Sequence, residues 1–279
     1  MSAVAEKISN GWRAHLSLGF AHDGRRTILS HRRHDGPLVI QKAFYPEGEP
    51  CHIYLLHPPG GVVGGDQLRL DVEVKNKAHA LLTTPAASKF YRSNETLAML
   101  QQNFVVEPGA TLEWLPQETI LFADSHVRMQ TKIQLESDAR FIGWELLCLG
   151  RPASGEKYSL GECQQRFAIW REGSPLLIET TRLHGAASVL DQTWGLQGAN
   201  VMGTCIAVGA DKSVLQAVRE AAIRIDKGSF TATLINDVLV CRVLAMQAEP
   251  ARNAFIQAWQ IVRPLLLQRE ASAPRIWFT

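Results

Sequence analysis

The 279-residue sequence lacks the features that mark several large classes of protein. It has no apolar run of membrane-spanning length, and its N-terminus lacks a secretory signal pattern, so we expect a cytoplasmic protein that does not span a membrane. Its five cysteines are scattered without a Cys-x-x-Cys pair, which favours reduced thiols over a disulfide framework. The net charge is only +2 and there is no basic tail, so nucleic-acid binding is not expected.

The motifs of common enzyme classes are missing as well. The glycine-rich stretch at residues 60–65 is not followed by the Gly-Lys-Ser/Thr of a P-loop, and its spacing differs from a dinucleotide-binding fingerprint. There is no serine-centred nucleophile elbow, and the nine histidines show no zinc-site spacing. We therefore expect a protein that is not an enzyme and has no tightly bound cofactor. An enzyme that holds a phosphorylated ligand on the glycine-rich stretch is the weakest alternative.

The sequence does contain alternating apolar and polar residues over most of its first two thirds, which is typical of β-strands. A polar turn residue, an alanine and an alternating strand recur at Ala78, Ala110 and Ala139, which stand 32 and then 29 residues apart. Another alternating strand precedes each copy. A repeat of about 30 residues with paired strands predicts stacked β layers, as in a β-solenoid or an open β-sandwich. The alternative is an ordinary antiparallel sandwich in which the similarity arises by chance.

The pattern changes in residues 201–279, where helical spacing joins the strands. A capping-box pattern begins at Ser213, and helical spacing then continues to Gly228. Pro250 is predicted to begin a second helix and Pro264 to end it.

Together these patterns predict a mostly β fold. Residues 1–200 are expected to form a layered domain, either β-solenoid-like or a β-sandwich stack. Residues 201–279 are expected to form a small α+β part that carries two helices and packs on the first part as one compact unit.

Two short stretches concentrate unusual residues. The first runs from His57 to Asp66 and contains two glycine pairs, which permit a tight loop and close backbone approach. The second contains Ser88 and Lys89, followed by an aromatic pair. A carboxylate on the glycine loop and a lysine on a second turn could meet in one place. The alternatives are an ordinary turn, an Asp that caps it, and a solvated lysine.

Acidic residues also stand on apolar strands, at Asp66, Glu113, Glu118, Asp124, Glu145 and Glu179. Glu145 is the sharpest case, because nearly every other residue from Phe141 to Leu149 is apolar. A lone buried carboxylate is costly unless it is paired or binds a cation. One hypothesis is an internal polar channel lined by Glu145 with Asp66, Lys89 and Glu179; the alternative is that Glu145 lies on the polar face of its strand. Oxygen ligands bind divalent transition metals weakly, which suits passage of an ion better than storage.

These motifs resemble those of the urease accessory protein UreD family, also called UreH. The resemblance extends over nearly the whole chain, and the stretches that carry it are His57 to Asp66, Ala86 to Ser93, Trp144 to Pro152, Pro175 to Glu179 and Pro274 to Thr279. It implies a layered, mostly β fold with two C-terminal helices. It also implies a non-enzymatic chaperone that binds apo-urease and, with accessory proteins F and G, supports GTP-dependent nickel insertion into the urease active site.

The resemblance further assigns candidate residues. Nickel in transit would pass Asp66, Glu145 and Glu179, in a passage that Ser88 and Lys89 also line. Relatives often carry Asp where Glu145 stands, so the acid is kept with a different reach. Accessory protein F would bind the C-terminal helical part directly, and the GTPase accessory protein G would bind through F. The candidate partner-binding residues are Phe255, Trp259, Arg263 and Trp277. The alternative function is a purely structural adaptor between urease and the accessory proteins, without a metal path.

Overall fold

The computed structural model describes residues 11–278, in which strands dominate and two α-helices lie in the C-terminal part. The helices are α1 (Lys212–Glu220) and α2 (Ala248–Leu267). The strands are β1 (Arg13–His22), β2 (Thr27–Asp35), β3 (Val39–Ile40), β4 (Cys51–Leu56), β5 (Gln67–Val74), β6 (His79–Thr83), β7 (Ser88–Phe90), β8 (Ala98–Val106), β9 (Thr111–Trp114), β10 (Thr119–Leu121), β11 (Ser125–Leu135), β12 (Arg140–Arg151), β13 (Glu156–Lys157), β14 (Gly161–Arg171), β15 (Ser174–His184), β16 (Val201–Val208), β17 (Ser229–Ile235) and β18 (Val238–Ala245).

The strands form two large sheets. The first has the strand order β15-β14-β11-β8-β5-β1-β2. The second has the order β17-β18-β16-β12-β9-β6-β4-β3, and the short strands β7, β10 and β13 join it through β12. The middle of each sheet is parallel, because the chain passes repeatedly from one sheet to the other.

The parallel part is a stack of β layers that confirms the layered prediction. Strands β5, β8, β11 and β14 stack along one side, while β6, β9 and β12 stack along the facing side. The three repeated alanines are buried at equivalent places. The backbone N–H of Thr111 donates to the carbonyl of Ala78, and that of Arg140 donates to the carbonyl of Ala110, both at 2.9 Å. The sequence period is therefore the length of one layer.

Two apolar cores stabilise this arrangement. The larger lies between the two sheets, where alternate residues such as Leu16, Phe104 and Ile133 are almost completely buried. The smaller lies between the second sheet and α2, and it contains Trp144 and Phe255. Burying apolar surface is the main favourable term for both, since each large side chain contributes about 1.5–3 kcal/mol.

The C-terminal strands continue the second sheet across the predicted boundary at residue 200. Strand β16 pairs antiparallel with β12, and β18 and β17 follow outward. Among residues 11–278, no helix is both long and apolar enough to cross a lipid bilayer.

The helix ends differ from the sequence predictions. The carboxylate of Asp211, rather than Ser213, caps α1 by accepting the backbone N–H groups of Ser213 and Val214. The helix ends at Glu220 rather than near Gly228, since Ala222 has a φ of 46°.

Helix α2 also extends beyond its predicted end. It continues past Pro264 to Leu267, and the N–H of Gln268 still donates to the carbonyl of Pro264. The prediction that Pro264 ends the helix was therefore wrong. The buried ion pairs of the preceding residue, Arg263, hold the last turn in place.

Candidate functional site

A cavity of about 410 Å³ lies between the sheets. Its wall is mainly apolar and includes Leu70, Leu100 and Met129. Gly60 and Ser88 belong to the wall and are also exposed, so the cavity opens to the surface there. The cavity is therefore an internal space that solvent and small solutes can enter from the glycine loop.

The glycine loop and the Ser88–Phe90 strand are joined at the mouth of this cavity. The N–H of Val62 donates to the carbonyl of Lys89 at 2.7 Å, and the N–H of Tyr91 donates to the carbonyl of Val62 at 2.9 Å. A Cβ atom on Gly61 would lie only 2.2 Å from Cε2 of Tyr91. Glycine at this position therefore permits the close approach that brings the loop and Lys89 together.

Asp66 holds the loop through its side chain. Its two carboxylate oxygens accept the backbone N–H groups of Trp12, at 2.8 Å, and Val63, at 2.9 Å. The residue is buried, and it is not part of the cavity wall that the described residues form. Asp66 therefore positions the glycine loop, as the alternative of a capping Asp anticipates. Both of its oxygens are engaged by backbone donors rather than directed at an ion in the cavity.

Glu145 lies at the inner end of the cavity and is surrounded by neutral polar groups. The Thr131 hydroxyl and the Gln165 amide are hydrogen-bonded to its two oxygens. Burial raises the pKa of Glu145 to about 7, although the hydrogen bonds from these two groups oppose the shift. The part of Glu145 that remains accessible is explained by its position on the cavity wall.

The hydroxyl of Thr131 can serve either protonation state of Glu145. It lies within hydrogen-bonding distance of both Glu145 and the side-chain oxygen of Gln102, yet a hydroxyl has only one hydrogen to donate. When Glu145 is protonated, it donates to Thr131 and Thr131 donates to Gln102, so every group is satisfied. When Glu145 is ionised, the carboxylate competes with Gln102 for the same hydrogen.

A second, narrow cavity of about 30 Å³ begins where the first ends. The two cavities share Glu145, Leu147 and Gln165 in their walls. The other end of the narrow cavity is formed by Glu179 and its neighbours. The carboxylate of Glu179 is paired with the guanidinium of Arg242 on β18. Glu145 therefore lies between a wide cavity open at the glycine loop and a narrow cavity that ends at an ion pair.

The structure thus places four of the five predicted channel residues in the walls of two cavities that share Glu145. Ser88 and Lys89 line the wide cavity, and Glu145 and Glu179 both line the narrow one. Within residues 11–278, no three His, Cys, Asp or Glu side chains lie close enough to hold a metal ion together. The arrangement can offer single oxygen ligands in succession but no multidentate site.

Sequence reasoning missed the hydrogen-bonding partners of Glu145. Thr131 follows Val127 and Met129 at alternate, inward-facing positions of β11, where a hydroxyl is out of place in an apolar series. The same alternation on β8 marks Gln102. A polar residue at an inward-facing position of an alternating strand is the signal that could have identified both residues. His57 also lines the wide cavity, and burial lowers its pKa, although the charge of Asp66 opposes that shift.

A second buried carboxylate, Glu113 on β9, has charged partners instead. It accepts hydrogen bonds from Trp259 Nε1 at 2.6 Å and Arg263 Nε at 3.1 Å, and its other contact is His79 Nε2 at 2.7 Å. Burial alone would raise the pKa of Glu113, but His79 and Arg263 outweigh it and hold the pKa at about 2. Arg263 also pairs with Glu47 at 2.7 Å. This cluster joins α2 to the layered sheets.

The predicted partner-binding residues belong to the same cluster or pack beside it. Phe255, Trp259 and Arg263 are completely buried against the second sheet. Trp277 is half-buried, lies edge-to-face with Trp259 at a ring-centroid distance of 5.8 Å, and donates from Nε1 to the hydroxyl of Thr83 at 2.8 Å. These side chains therefore shape the helix–sheet contact, and a partner on α2 would meet its outer residues. The exposed residues of α2 are Glu249, Asn253, Gln257, Gln260 and Leu265.

Comparison with known proteins gives one consistent result. The family model described as UreD urease accessory protein matches residues 12–278. A urease accessory protein UreD of Alkalilimnicola ehrlichii is 46% identical over 277 residues, which cover 99% of this chain and 94% of that one. Proteins of the same name from Pseudomonas putida and Enterobacter sp. are 44% and 41% identical, each over 99% of this chain and over 99% and 98% of their own.

Proposed function

The chain belongs to the family of UreD urease accessory proteins, whose role is in urease maturation, and we propose that it acts there as a non-enzymatic nickel-insertion chaperone. In this proposal it binds apo-urease and, with accessory proteins F and G, supports GTP-dependent delivery of nickel to the urease active site. Nickel is cargo that passes through the cavities rather than a resident cofactor.

The observation that carries the proposal is the position of Glu145 between the two cavities. A carboxylate that costs free energy to bury is retained at the junction of the wide and narrow spaces, with no cation from residues 11–278 paired to it. An apolar residue there would pack more favourably with Leu146 and Leu147. A passing cation gives the carboxylate a use that packing alone does not.

The ligand chemistry suits transit. Carboxylate and imidazole groups bind nickel, and binding that rests on one or two ligands at a time is weak enough to be reversed. Burial lowers the pKa of His57, which favours the neutral imidazole that can bind a metal. His57 at the mouth and Glu145 at the junction therefore offer successive single ligands.

Protonation of Glu145 couples passage to pH. With a pKa of about 7, the carboxyl group can hold its proton when the cavity contains no ion and release it when a divalent cation arrives. The hydroxyl of Thr131 then turns from acceptor to donor. Each ion that binds at Glu145 would therefore displace one proton.

We place accessory protein F on the outer face of α2, and accessory protein G on F. Leu265 is an apolar side chain on that face and is 52% exposed. The buried cluster of Glu113 and Arg263 keeps this face in a fixed position relative to the layered sheets. Leu265→Glu should therefore weaken capture of accessory protein F, and Gln247→Glu, at the exposed start of α2, is the control.

The structural adaptor is the second candidate, and the same buried cluster favours it. The outer face of α2 and the layered sheets would hold accessory protein F and urease in a fixed relative position, without any metal path. The nickel passage requires the carboxylate of Glu145, whereas the structural adaptor does not.

Urease activation with a Glu145→Gln variant separates them. We expect the variant to capture apo-urease normally in a pull-down while the purified urease contains less nickel by metal analysis. Glu136→Gln is the matched control, since it makes the same chemical change at an exposed carboxylate in the turn before β12. Full nickel content with Glu145→Gln would reject the passage and leave the adaptor.

A further inference from the structure

Two ion pairs bridge the two sheets on the side where β15 and β17 form the sheet edges. Arg242 on β18 pairs with Glu179 on β15, and Arg171 at the end of β14 pairs with Asp237 at 2.6 Å. The side chains of Arg242 and Glu179 are 48% and 26% exposed. The Arg242–Glu179 pair therefore lies where the narrow cavity approaches the surface.

Arg242 occupies a position that alternation assigns to the apolar core. Val238 and Val240 of the same strand face the core between the sheets, and Arg242 is the next residue in that series. Glu179 stands between Leu177 and Leu183 in the inward series of β15. An apolar pair would serve packing at least as well as an ion pair here. Stability alone therefore does not account for the two charges.

The location of the pair suggests its use. Glu179 is the last acidic group in the wall of the narrow cavity, and its carboxylate is engaged by a fixed positive charge. A divalent cation that has reached Glu145 meets repulsion from Arg242 before it can use Glu179 as a ligand. The cation can advance only when the guanidinium moves away.

We infer that Arg242 is the residue that controls the exit of divalent cations at the narrow end of the passage. This inference rests on the proposed nickel passage and deepens it. The paired state retains the ion at Glu145. A partner that offers a carboxylate to the half-exposed guanidinium would draw Arg242 away, release Glu179, and allow the ion to pass.

We call this control of ion exit by Arg242 the gate. Two methionines, one in the wall of each cavity, can report how far the ion has moved. Met129 lines the wide cavity and Met202 lines the narrow one. In the full chain labelled with ¹³C at the methionine methyl groups, titration with Ni²⁺ alone should broaden the Met129 signal, because the ion is paramagnetic and acts steeply with distance. The Met202 signal should broaden less than that of Met129, because the ion does not enter the narrow cavity. Met99, on the outer face of β8, serves as the check that each variant is folded.

Substitution of Arg242 should change this pattern. With Arg242→Gln, the broadening of Met202 should rise about tenfold at the same Ni²⁺ concentration, which corresponds to about 1.4 kcal/mol. Arg242→Lys keeps the positive charge and should behave like the wild type. Arg182→Gln is the matched control, because Arg182 is exposed at an outward position of β15.

The variant Glu179→Gln distinguishes the gate from a structural latch, by which we mean an ion pair that only holds the two sheets together. It also breaks the ion pair but leaves the positive charge of Arg242, so Met202 should broaden no more than in the wild type. Equal broadening of Met202 with Glu179→Gln and Arg242→Gln would overturn the gate in favour of a structural latch. Wild-type broadening of Met202 as strong as that of Met129, or no increase with Arg242→Gln, would overturn it too. If Met129 itself does not respond to Ni²⁺, the passage is rejected and the gate with it.

Discussion

Glu113 and Glu145 stand on neighbouring parallel strands, β9 and β12, and face opposite electrostatic surroundings. Glu113 has no exposed surface, and it is held ionised by His79 and Arg263. Among the described residues, Glu145 contacts a hydroxyl, an amide and a cavity but no cation, and burial raises its pKa to about 7. The same side chain therefore serves as a permanent anion at the helix contact and as a group that can gain or lose a proton at the cavity.

The difference shows that burial alone does not define a functional carboxylate. The free-energy cost of burying Glu113 is offset by Arg263 on α2 and His79 on β6, so its role is explained by the fold. No cation in the described chain offsets the cost of Glu145 in the same way. The unexplained cost is the reason to assign function to Glu145 and structure to Glu113.

Removing the cation from the Glu113 site should have the largest effect. Arg263→Met keeps much of the side-chain volume but takes away the guanidinium that the buried Glu113 and the partly buried Glu47 share. Breaking a buried pair in this way costs about 3–5 kcal/mol of unfolding free energy. Urea denaturation at neutral pH measures it, with Arg224→Met as the exposed control. A loss as small as that of the control would mean that the cluster does not anchor α2.

A smaller effect is expected from Glu113→Gln, and it should depend on pH. The folded chain keeps Glu113 ionised down to a pKa of about 2, whereas the unfolded value is 4.5. The stabilisation is therefore present above the unfolded value and is lost as the pH falls towards 2. The difference between wild type and variant should shrink by about 3 kcal/mol over that range. Unfolding measured at several acidic pH values tests the slope, and a constant difference would contradict it.

Glu145→Gln should show a pH dependence of opposite sign and smaller size. The folded chain retains the proton up to a pKa of about 7, while the unfolded chain releases it near the ordinary glutamate pKa of 4.5. Ionisation in this range therefore favours unfolding, and wild-type stability falls relative to the variant as pH rises. We expect about 2 kcal/mol in total, since water in the cavity reduces the cost of the charge. Guanidinium denaturation of the wild type and the variant at several pH values across this range measures the difference in unfolding free energy. A difference that does not change with pH would mean that Glu145 titrates like a solvated acid.

The sequence predicted the layers well because they repeat. One layer returns the chain to the same edge, so Ala78, Ala110 and Ala139 had to recur at the layer length. Helix ends were predicted less well, because they depend on tertiary contacts. Arg263 keeps the last turn of α2 in place beyond the point where Pro264 alone would stop it.

The two carboxylate sites differed in how far the sequence could predict them. Glu145 stands out because it interrupts a long apolar stretch. Glu113 was recognised as an acid on a strand, but its partners His79 and Arg263 lie 34 and 150 residues away, and only the folded chain brings them together. Asp66 was placed on the glycine loop correctly. Its two backbone donors, which make it a positioning residue, were not visible in the pattern.

The smallest expected effect concerns the Thr131 hydroxyl and tests why the two glutamates differ. Thr131→Val removes the one donor that Glu145 and Gln102 share, which should cost about 1 kcal/mol of unfolding free energy. The hydroxyl lowers the pKa of Glu145, so its loss should move the midpoint further up, away from that of Glu113. Titration of the ¹³C-labelled carboxyl group measures the midpoint, and Thr131→Ser should preserve it. A downward shift would mean that the hydroxyl stabilises the protonated form, and the proton would then be held by Thr131 rather than by burial.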